Sequence, residues 1–483
     1  MVHDSQLPRA CDRCHAIKER CCWAAGSDKC QRCTRLRHTC RTNRPARRPG
    51  RRPRPLSPVS SPAEPRGAYA QDQISPRSYR SDHEENSSGT CWESAGRDGS
   101  PPSISRGLAL FGDVSPAELS SLQRMLFGNE TFERFLMGPT FYDVHRKMLV
   151  SHLLASTPVM IDAYLACANS WVVANDIETT QDCQRGSYQR AAAAMANLRS
   201  FQVSSPADVS QCLVLGASIL TFALKLRVPD LSAICNGTLR LIAPVYASCS
   251  DPDQDELGFL TCMLMSELEQ CLVQCRVPAL RFTEPRGGAH VDRYVGLCVS
   301  LLAHFHSICE VSHAMSRACR DGSNGIAETI DSLVCSLQEW QPSVPDGFCD
   351  RFTATEVAHM LCQAQVLRMA GLLIIHRLRY PYGTSDGEAE AISMSILTQL
   401  DTTYVVTKKP VKCTEVALIA ACFELRDERQ RRMWLDKASA MVGYSDHFKD
   451  HVRDTLRKFW YVKDTSARVC WYDLGEKLSP FLA

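Results

Sequence analysis

The chain has 483 residues, 45% of them hydrophobic and 22% charged, proportions that are ordinary for a soluble globular protein with room for two to four domains. Its net charge of +2 hides an asymmetry. Residues 1–60 carry 15 Lys or Arg against four acidic residues, so this head carries +11 and the remaining residues carry −9. A basic head on an acidic body indicates a polyanionic partner for the head alone.

Neither a secretory signal nor a membrane span is expected. Met1–Ala10 has no apolar core of the kind that a secretory signal needs. The longest apolar stretch without charge runs from Val209 to Leu224, and its 16 residues include four Ser, Thr or Gln, so it predicts a buried helix and no membrane partner. The expected setting is the reducing cytosol or nucleus, where dense cysteines indicate metal rather than disulfides.

Seven of the 25 cysteines lie within residues 11–40, and six of these form a repeat. The spacing C-x2-C-x6-C occurs twice, with eight residues between the halves. A C-x2-C pair lets one chain reversal present two thiolates to a tetrahedral metal, and zinc favours such soft ligands. Two tetrahedral sites need eight positions, so six thiolates must include two that bridge. The equivalent first cysteines of the two halves, Cys11 and Cys30, are the candidates.

The predicted metal ligands are Cys11, Cys14, Cys21, Cys30, Cys33 and Cys40. Cys22 is an alternative to Cys21, but its use would break the matched spacing. His15 and His38 offer a second alternative, because with six cysteines they would make eight ligands for two unbridged zinc ions, as in protein-interaction modules. Neither histidine lies in the repeat, and the surrounding basic residues suit phosphate better. The other eighteen cysteines are expected to be small buried hydrophobic residues.

The spacing and the segment ACDRCHAIKERC, residues 10–21, resemble the six-cysteine binuclear zinc cluster of fungal transcription factors. In that family the first and fourth cysteines bridge. The resemblance therefore implies one zinc on Cys11, Cys14, Cys21 and Cys30 and another on Cys11, Cys30, Cys33 and Cys40. Both ions would be structural, because four thiolates leave no open position for catalysis.

The resemblance also implies how residues 11–40 bind double-stranded DNA. In the family the helix after the second cysteine enters the major groove, and a lysine four residues past that cysteine, here Lys18, reads a CGG-like triplet. This chain departs from the family at His15 and Ile17, where basic residues are usual, and at Lys29, where proline is frequent. The expected DNA contacts, mostly to phosphate, are Lys18, Arg13, His15, Arg20, Arg32 and Arg35.

Residues 41–107 are rich in Arg, Pro and Ser and contain few large apolar residues, so we expect a disordered linker. Its basic start, Arg44–Arg54, would either follow the DNA backbone or minor groove or serve as a nuclear import signal. The expected location is the nucleus. Family members often form dimers through a coiled coil after the cluster, which makes a homodimer a candidate state, but residues 41–107 show no heptads.

Residues 108–483 predict one large all-α domain, so the fold class is mostly α. Two similar segments, beginning Ser115-Pro116 and Ser205-Pro206, place Ser at an N-cap, Pro at the first helical position and an acid two residues later. Segments 356–379 and 415–426 continue the helical period. The isolated histidines and tryptophans are expected to pack or to satisfy helices rather than to act in catalysis; they include His304, His306, His376, Trp340, Trp434, Trp460 and Trp471.

The last third also resembles the helical regulatory domain of fungal regulators, through EWQPSVP near Trp340, LLIIHRLRYPYG around His376 and ALIAACFELRDERQRRMW ending at Trp434. The combination implies a sequence-specific regulator of RNA polymerase II transcription whose further partners are the transcription machinery. Regulators of this layout often control secondary-metabolite gene clusters. The alternatives are a zinc-dependent scaffold protein that does not bind DNA and an enzyme, although no catalytic motif was found.

Overall fold

A computed structural model describes residues 10–16, 21–23, 27, 29–42, 114–175, 181–226, 231–247, 254–283, 290–318 and 325–482. The chain divides into two compact units, residues 1–89 and 90–483. Of the predicted linker only residues 41 and 42 are described, so the predictions for Arg44–Arg54 and for the rest of that segment lie outside the described residues.

The smaller unit contains two five-residue helices, α1 (Asp12–Ala16) and α2 (Gln31–Arg35). Each helix starts immediately after the first cysteine of one half of the repeat. Trp23 and Cys30 form an isolated antiparallel bridge, which returns the chain to the start of α2. The elements are too short to bury an apolar core of their own, and the residues that are buried here are cysteines.

The larger unit is α-helical. Within its described residues the only β-type pairing is one isolated bridge between Asp292 and Gly296. The helices are α3 (Pro116–Phe127), α4 (Asn129–Glu133), α5 (Tyr142–Ala155), α6 (Thr157–Asn175), α7 (Gln181–Ser200), α8 (Pro206–Leu226), α9 (Leu231–Tyr246), α10 (Gln254–Gln274), α11 (Leu301–Ala318), α12 (Ile326–Glu339), α13 (Phe348–Arg351), α14 (Ala354–Arg379), α15 (Asp386–Thr407), α16 (Glu415–Glu424), α17 (Glu428–Met441), α18 (Asp446–Thr465) and α19 (Leu474–Leu482).

The predicted helix starts are confirmed. Ser115 Oγ accepts a hydrogen bond from the Glu118 N–H, and the Glu118 carboxylate accepts one from the Ser115 N–H, so both donors at the start of α3 are satisfied. At the start of α8 the Asp208 N–H donates to Ser205 Oγ at 3.3 Å. Both helices begin at the proline that the sequence places in the first helical position.

Helix α10 joins two groups of helices in the larger unit. It packs on α8 and α9 of the first group and on α11 and α19 of the second, and one continuous hydrophobic core runs through both. Helices α8 and α14 are long and apolar enough to cross a membrane. However, 78% and 72% of their most apolar windows are buried inside this unit, as expected for core helices.

The tryptophans and histidines that were predicted to pack inside the larger unit can now be compared with their burial. Trp340, Trp434, Trp460 and Trp471 are all at most 8% exposed. His376 lies in the last turn of α14, and its Nε2 is 3.0 Å from the carbonyl oxygen of Ser385, the residue before α15. Most described cysteines outside residues 11–40 are buried, and within the described part of the chain they are free thiols. These residues are therefore accounted for by packing.

Candidate metal centre and nucleic-acid interface

The six cysteines of the repeat lie together in the smaller unit. Their sulfur atoms form two groups of four, and within each group all sulfurs lie within 4.8 Å of one another. Two residues, Cys11 and Cys30, belong to both groups. The first group is completed by Cys14 and Cys21 and the second by Cys33 and Cys40, which is the arrangement that the family resemblance implies.

Short sulfur–sulfur distances test whether the groups fit zinc. The Sγ atoms of Cys11 and Cys30 are 3.7 Å apart, those of Cys11 and Cys33 3.8 Å, and those of Cys14 and Cys30 3.7 Å. A zinc–sulfur bond of about 2.3 Å in a regular tetrahedron gives sulfur–sulfur edges of about 3.8 Å. The donor set therefore fits two structural zinc ions, each surrounded by four sulfurs.

The two halves of the smaller unit have the same hydrogen bonds at an offset of 19 residues. The N–H of Cys11 donates to Cys21 Sγ at 3.3 Å, and the N–H of Cys30 donates to Cys40 Sγ at 3.4 Å. Each bond holds the third cysteine of a half against the first. The repeat in sequence is thus also a repeat in structure.

The starts of α1 and α2 supply a second matched pair of bonds. The Cys14 N–H donates to Cys11 Sγ and the Cys33 N–H donates to Cys30 Sγ, both at 3.4 Å. Backbone N–H groups at a helix start stabilise negative charge. These donors therefore favour the thiolate form of the two shared cysteines. These donors were not predicted from the sequence, although the position of each C-x2-C pair at the start of a short helix is a signal for them.

The pKa values of the thiols also distinguish the two shared cysteines from the other four. Desolvation raises the pKa of Cys33 to about 12, and hydrogen bonds to the neighbouring thiols raise it too. At Cys30 desolvation also raises the pKa, but the Cys33 N–H and the neighbouring thiols outweigh it and lower the pKa to about 6. The pKa of Cys11 is lowered as well. The two sulfurs common to both groups are therefore the ones that lose their protons most readily.

The alternative ligands are placed differently. Cys22 is exposed and lies in neither group, and its carbonyl oxygen accepts a hydrogen bond from the Gln31 N–H at 2.8 Å. Among the residues whose side chains are described, His38 is not part of either group. The side chain of His15 lies outside the described residues. The geometry thus brings together six sulfurs and favours the bridged arrangement over eight separate ligands.

The candidate DNA-contacting residues are only partly described. Arg13 on α1 and Arg35 on α2 are exposed, and Arg32 on α2 is half-buried. The offset of 19 residues relates Arg13 to Arg32, so each half carries a basic residue directly before the second cysteine of its C-x2-C pair. Lys18 and Arg20 lie outside the described residues. The described arginines lie within a few residues of the cysteine sulfurs. A metal bound to the sulfurs would therefore hold these arginines in fixed positions.

Comparison with known proteins gives two matches. Residues 254–482 match the family model described as the fungal specific transcription factor domain. Over 51 residues the chain is 55% identical to a protein from Penicillium crustosum described as the C6 finger transcription factor traC, and the match covers 11% of this chain and 12% of that protein. The chain is therefore aligned with only a small part of this relative's length. No solved structure matches the chain.

Proposed function

We propose that this chain, which belongs to the fungal zinc-cluster transcription factors by its six-cysteine module and its fungal specific transcription factor domain, binds specific sites in double-stranded DNA and regulates transcription by RNA polymerase II. The observation that carries the proposal is the pair of four-sulfur groups that share Cys11 and Cys30 within a basic head. The family is one of transcription factors and not of enzymes.

The metal in this proposal is structural. One zinc would be held by Cys11, Cys14, Cys21 and Cys30, and the other by Cys11, Cys30, Cys33 and Cys40, which would leave no coordination position for water or substrate. What zinc supplies is a fixed fold for a segment with no apolar core of its own. The metal-bound sulfurs would hold α1 and α2 in fixed positions relative to each other. The arginines next to the sulfurs would then present positive charges at fixed positions to the DNA phosphates.

The DNA contacts divide into two kinds. Lys18 reads base edges in the major groove, as the resemblance implies, and Arg13, His15, Arg20, Arg32 and Arg35 hold the module on the phosphates. Phosphate contacts give salt dependence, with a slope of about −0.9 log units of affinity per log unit of salt for each phosphate neutralised. Binding should therefore weaken steeply as salt rises.

The target sites can be determined by selection from random DNA with the full chain. We expect CGG-like triplets to be enriched, and the number and spacing of the triplets would show whether the protein binds as a homodimer. If the chain instead bound a protein partner with little salt dependence and had no DNA affinity, the alternative of a zinc-dependent scaffold protein would replace this proposal.

Lys18→Ala tests the base contact. If Lys18 donates to guanine, its loss should cost about 1–3 kcal/mol on the selected site and relax the sequence preference at one triplet. The measurement is a salt-controlled binding titration on the selected site and on a scrambled duplex. Arg35→Ala is the comparison, because loss of a phosphate contact should weaken binding equally on both duplexes. Equal losses on both duplexes for Lys18→Ala would make Lys18 a phosphate contact.

The biological setting is proposed from the family. The protein acts in the nucleus, with Arg44–Arg54 as its import signal, and its targets are genes of a secondary-metabolite cluster. Transcript profiling of a deletion strain tests the second point, because a pathway-specific regulator should change the expression of one group of neighbouring genes. Altered expression of many unlinked genes would contradict it.

A further inference from the structure

Helices α14 and α15 pack antiparallel and leave one flank of the pair exposed. Cys362 Sγ donates to the Gln399 carbonyl oxygen at 3.8 Å, and His359 Nε2 lies 3.0 Å from Thr407 Oγ1, so the residue numbers run in opposite directions along the two helices. The residue before each contact is turned by about 100° around its helix, and in an antiparallel pair this turn leads to the same flank on both helices.

This flank is uncharged. Six of its exposed residues define what we call the α14–α15 face: Ala354, Leu361, Gln365, Thr398, Thr402 and Val406. Val406 is 73% exposed and Leu361 45%. Within residues 391–407 the one charged residue is Asp401, and its carboxylate is paired with Lys437 at 2.6 Å. Large aliphatic side chains exposed on a surface without charges are typical of a protein–protein interface.

The two ends of the face carry opposite charges. Glu388 lies in the first turn of α15, where its side chain is 70% exposed and its carboxylate is 3.5 Å from His376 Nδ1. Lys408 follows the last residue of α15, is exposed and forms no ion pair among the described residues. Lys409 comes next and is paired with Glu133 at 2.6 Å. Glu388 and Lys408 are about 30 Å apart along the helix axis, at about 1.5 Å per residue.

This order of charges makes the face complementary to itself. A two-fold axis perpendicular to α15 and close to Thr398, near the middle of the helix, turns a second copy end for end. Lys408 of each copy then lies opposite Glu388 of the other, and the uncharged middle sections meet. A parallel arrangement would instead place like charges opposite each other at both ends. The antiparallel pairing of two copies is therefore the one that the charges favour.

The size of the face suits a weak dimer. Helix α15 has 22 residues and is about 33 Å long, and the exposed part of α14 adds a strip about half that length. With helices about 10 Å in diameter, the face covers about 500 Å² per copy, or about 1,000 Å² for two copies. Specific interfaces start at about this total area.

We infer that the α14–α15 face binds the same face of a second copy of this chain, in an antiparallel arrangement with Thr398 next to the two-fold axis. The contact removes Leu361 and Val406 from water and adds an ion pair between Lys408 and Glu388 at each end. The inference goes beyond the proposed function and does not depend on DNA binding, because the face belongs to the larger unit.

Sedimentation equilibrium of the full chain, without DNA and with a reductant, tests the inference. We expect a reversible monomer–dimer equilibrium with a Kd of about 1–100 μM, since the interface is at the small end of the specific range. Removal of zinc should leave this Kd unchanged. A chain that stayed monomeric at about 200 μM would overturn the inference and leave the face to a different protein. Loss of the dimer on chelation would overturn it too.

Thr398→Glu tests the centre of the contact. It places two negative charges next to each other across the two-fold axis and should raise the Kd at least about tenfold. Thr402→Glu, one turn away, should act in the same way. Ser332→Glu is the matched control, because it makes a similar change at an exposed position of α12, and it should leave the Kd unchanged. Circular dichroism at 222 nm verifies the fold of each variant, and an unchanged Kd in both threonine variants would overturn the inference.

Lys408→Glu and Glu388→Lys test the antiparallel orientation. Each change alone places like charges opposite each other at both ends and should raise the Kd about three- to tenfold. The double variant restores opposite charges in exchanged positions, so its Kd should return to within about twofold of the original value. If the double variant bound no better than the single variants, the antiparallel arrangement would be wrong.

Discussion

Among single residues, Cys11 and Cys30 have the widest role in the metal centre. Each sulfur belongs to both four-sulfur groups, and each accepts a hydrogen bond from the N–H at the start of its own helix. The other four cysteines each belong to one group. Removal of a shared sulfur therefore opens both metal sites at once, whereas removal of Cys21 or Cys40 opens one.

Cys30→Ala should release both zinc ions and unfold the smaller unit, because metal binding supplies the folding free energy of such modules. Zinc content by atomic absorption and DNA affinity are the measurements. We expect a zinc content close to zero and loss of sequence-specific binding.

Cys22→Ala is the matched control for Cys30→Ala, since Cys22 is an exposed cysteine of the same segment and lies in neither group. It should keep two zinc ions and full affinity. The bridged arrangement would be wrong if Cys30→Ala retained two ions and normal binding, or if Cys22→Ala lost one.

Among the elements, α14 is anchored at its start by a buried carboxylate. Glu356, 1% exposed, accepts from the Thr353 N–H and hydroxyl and closes the capping box of the helix. The same carboxylate accepts from the N–H and hydroxyl of Thr140 at 2.9 and 2.8 Å. Gly138 must lack a side chain here, because a Cβ would overlap the Glu356 carboxylate. One residue therefore joins two distant segments.

Glu356→Ala should lower the free energy of unfolding by about 2–4 kcal/mol, because it removes a helix cap and several charge-assisted hydrogen bonds. Urea unfolding followed by circular dichroism at 222 nm measures the change. Glu390→Ala, on the exposed face of α15, should change stability by less than about 0.5 kcal/mol. Equal effects of the two substitutions would show that the contacts of Glu356 do not contribute.

The other end of α14 is held by a buried ion pair. Arg377 donates to both carboxylate oxygens of Glu424 at 2.8 and 2.6 Å and to Asp386 at 2.7 Å, and the side chains of Arg377 and Glu424 are 1% and 4% exposed. The guanidinium also donates to the carbonyl oxygens of Pro381 and Thr384. These bonds join α14, the start of α15 and α16.

Arg377→Met should destabilise the chain by about 3–5 kcal/mol, because it leaves Glu424 charged and buried without its partner. A second change, Glu424→Gln, should recover part of the loss. Arg432→Met is the comparison: its partner Glu428 is equally exposed, 74% for each side chain, and this pair should contribute at most about 1 kcal/mol. The same unfolding assay decides, and similar losses for Arg377→Met and Arg432→Met would contradict the assignment.

At the scale of the whole molecule, the two units are stabilised in different ways. The smaller unit buries cysteine sulfurs, and the larger one buries a continuous apolar core. Among the described residues, groups of three or more potential metal ligands occur only at Cys11–Cys40. The net charge also differs between the two parts of the chain: it is +11 on residues 1–60 and −9 on the remaining residues. The metal-ligand groups and the excess of positive charge therefore both belong to the amino-terminal part of the chain.

Chelation should separate the two units functionally. Removal of zinc with a strong chelator should abolish DNA binding, while the circular dichroism at 222 nm falls only slightly, because the helices from Pro116 to Leu482 do not depend on the metal. Restored zinc should restore binding. A fully chelated protein that still bound its selected DNA site, or that lost most of its helical signal, would refute this division.

The sequence by itself determined the features that short segments encode. The cysteine repeat predicted which six sulfurs would lie together, because each C-x2-C pair is completed within one turn of chain, and Ser115 and Ser205 predicted helix starts through bonds to residues three positions away. The apolar content of residues 209–224 likewise predicted a buried helix from one short segment alone. None of these requires knowledge of distant neighbours.

Only the tertiary structure decided which distant residues meet. Thr140 and Glu356 are 216 positions apart, and the residues that line one cavity beside α8 and α10 extend from Arg134 to Tyr444. Lys225 and Glu269 are ordinary residues in sequence, and only the fold leaves Lys225 5% exposed and buries Glu269 Oε1 without a hydrogen-bond partner among the described residues. Burial and pairing follow from how the helices pack, and packing depends on the side chains of many elements at once.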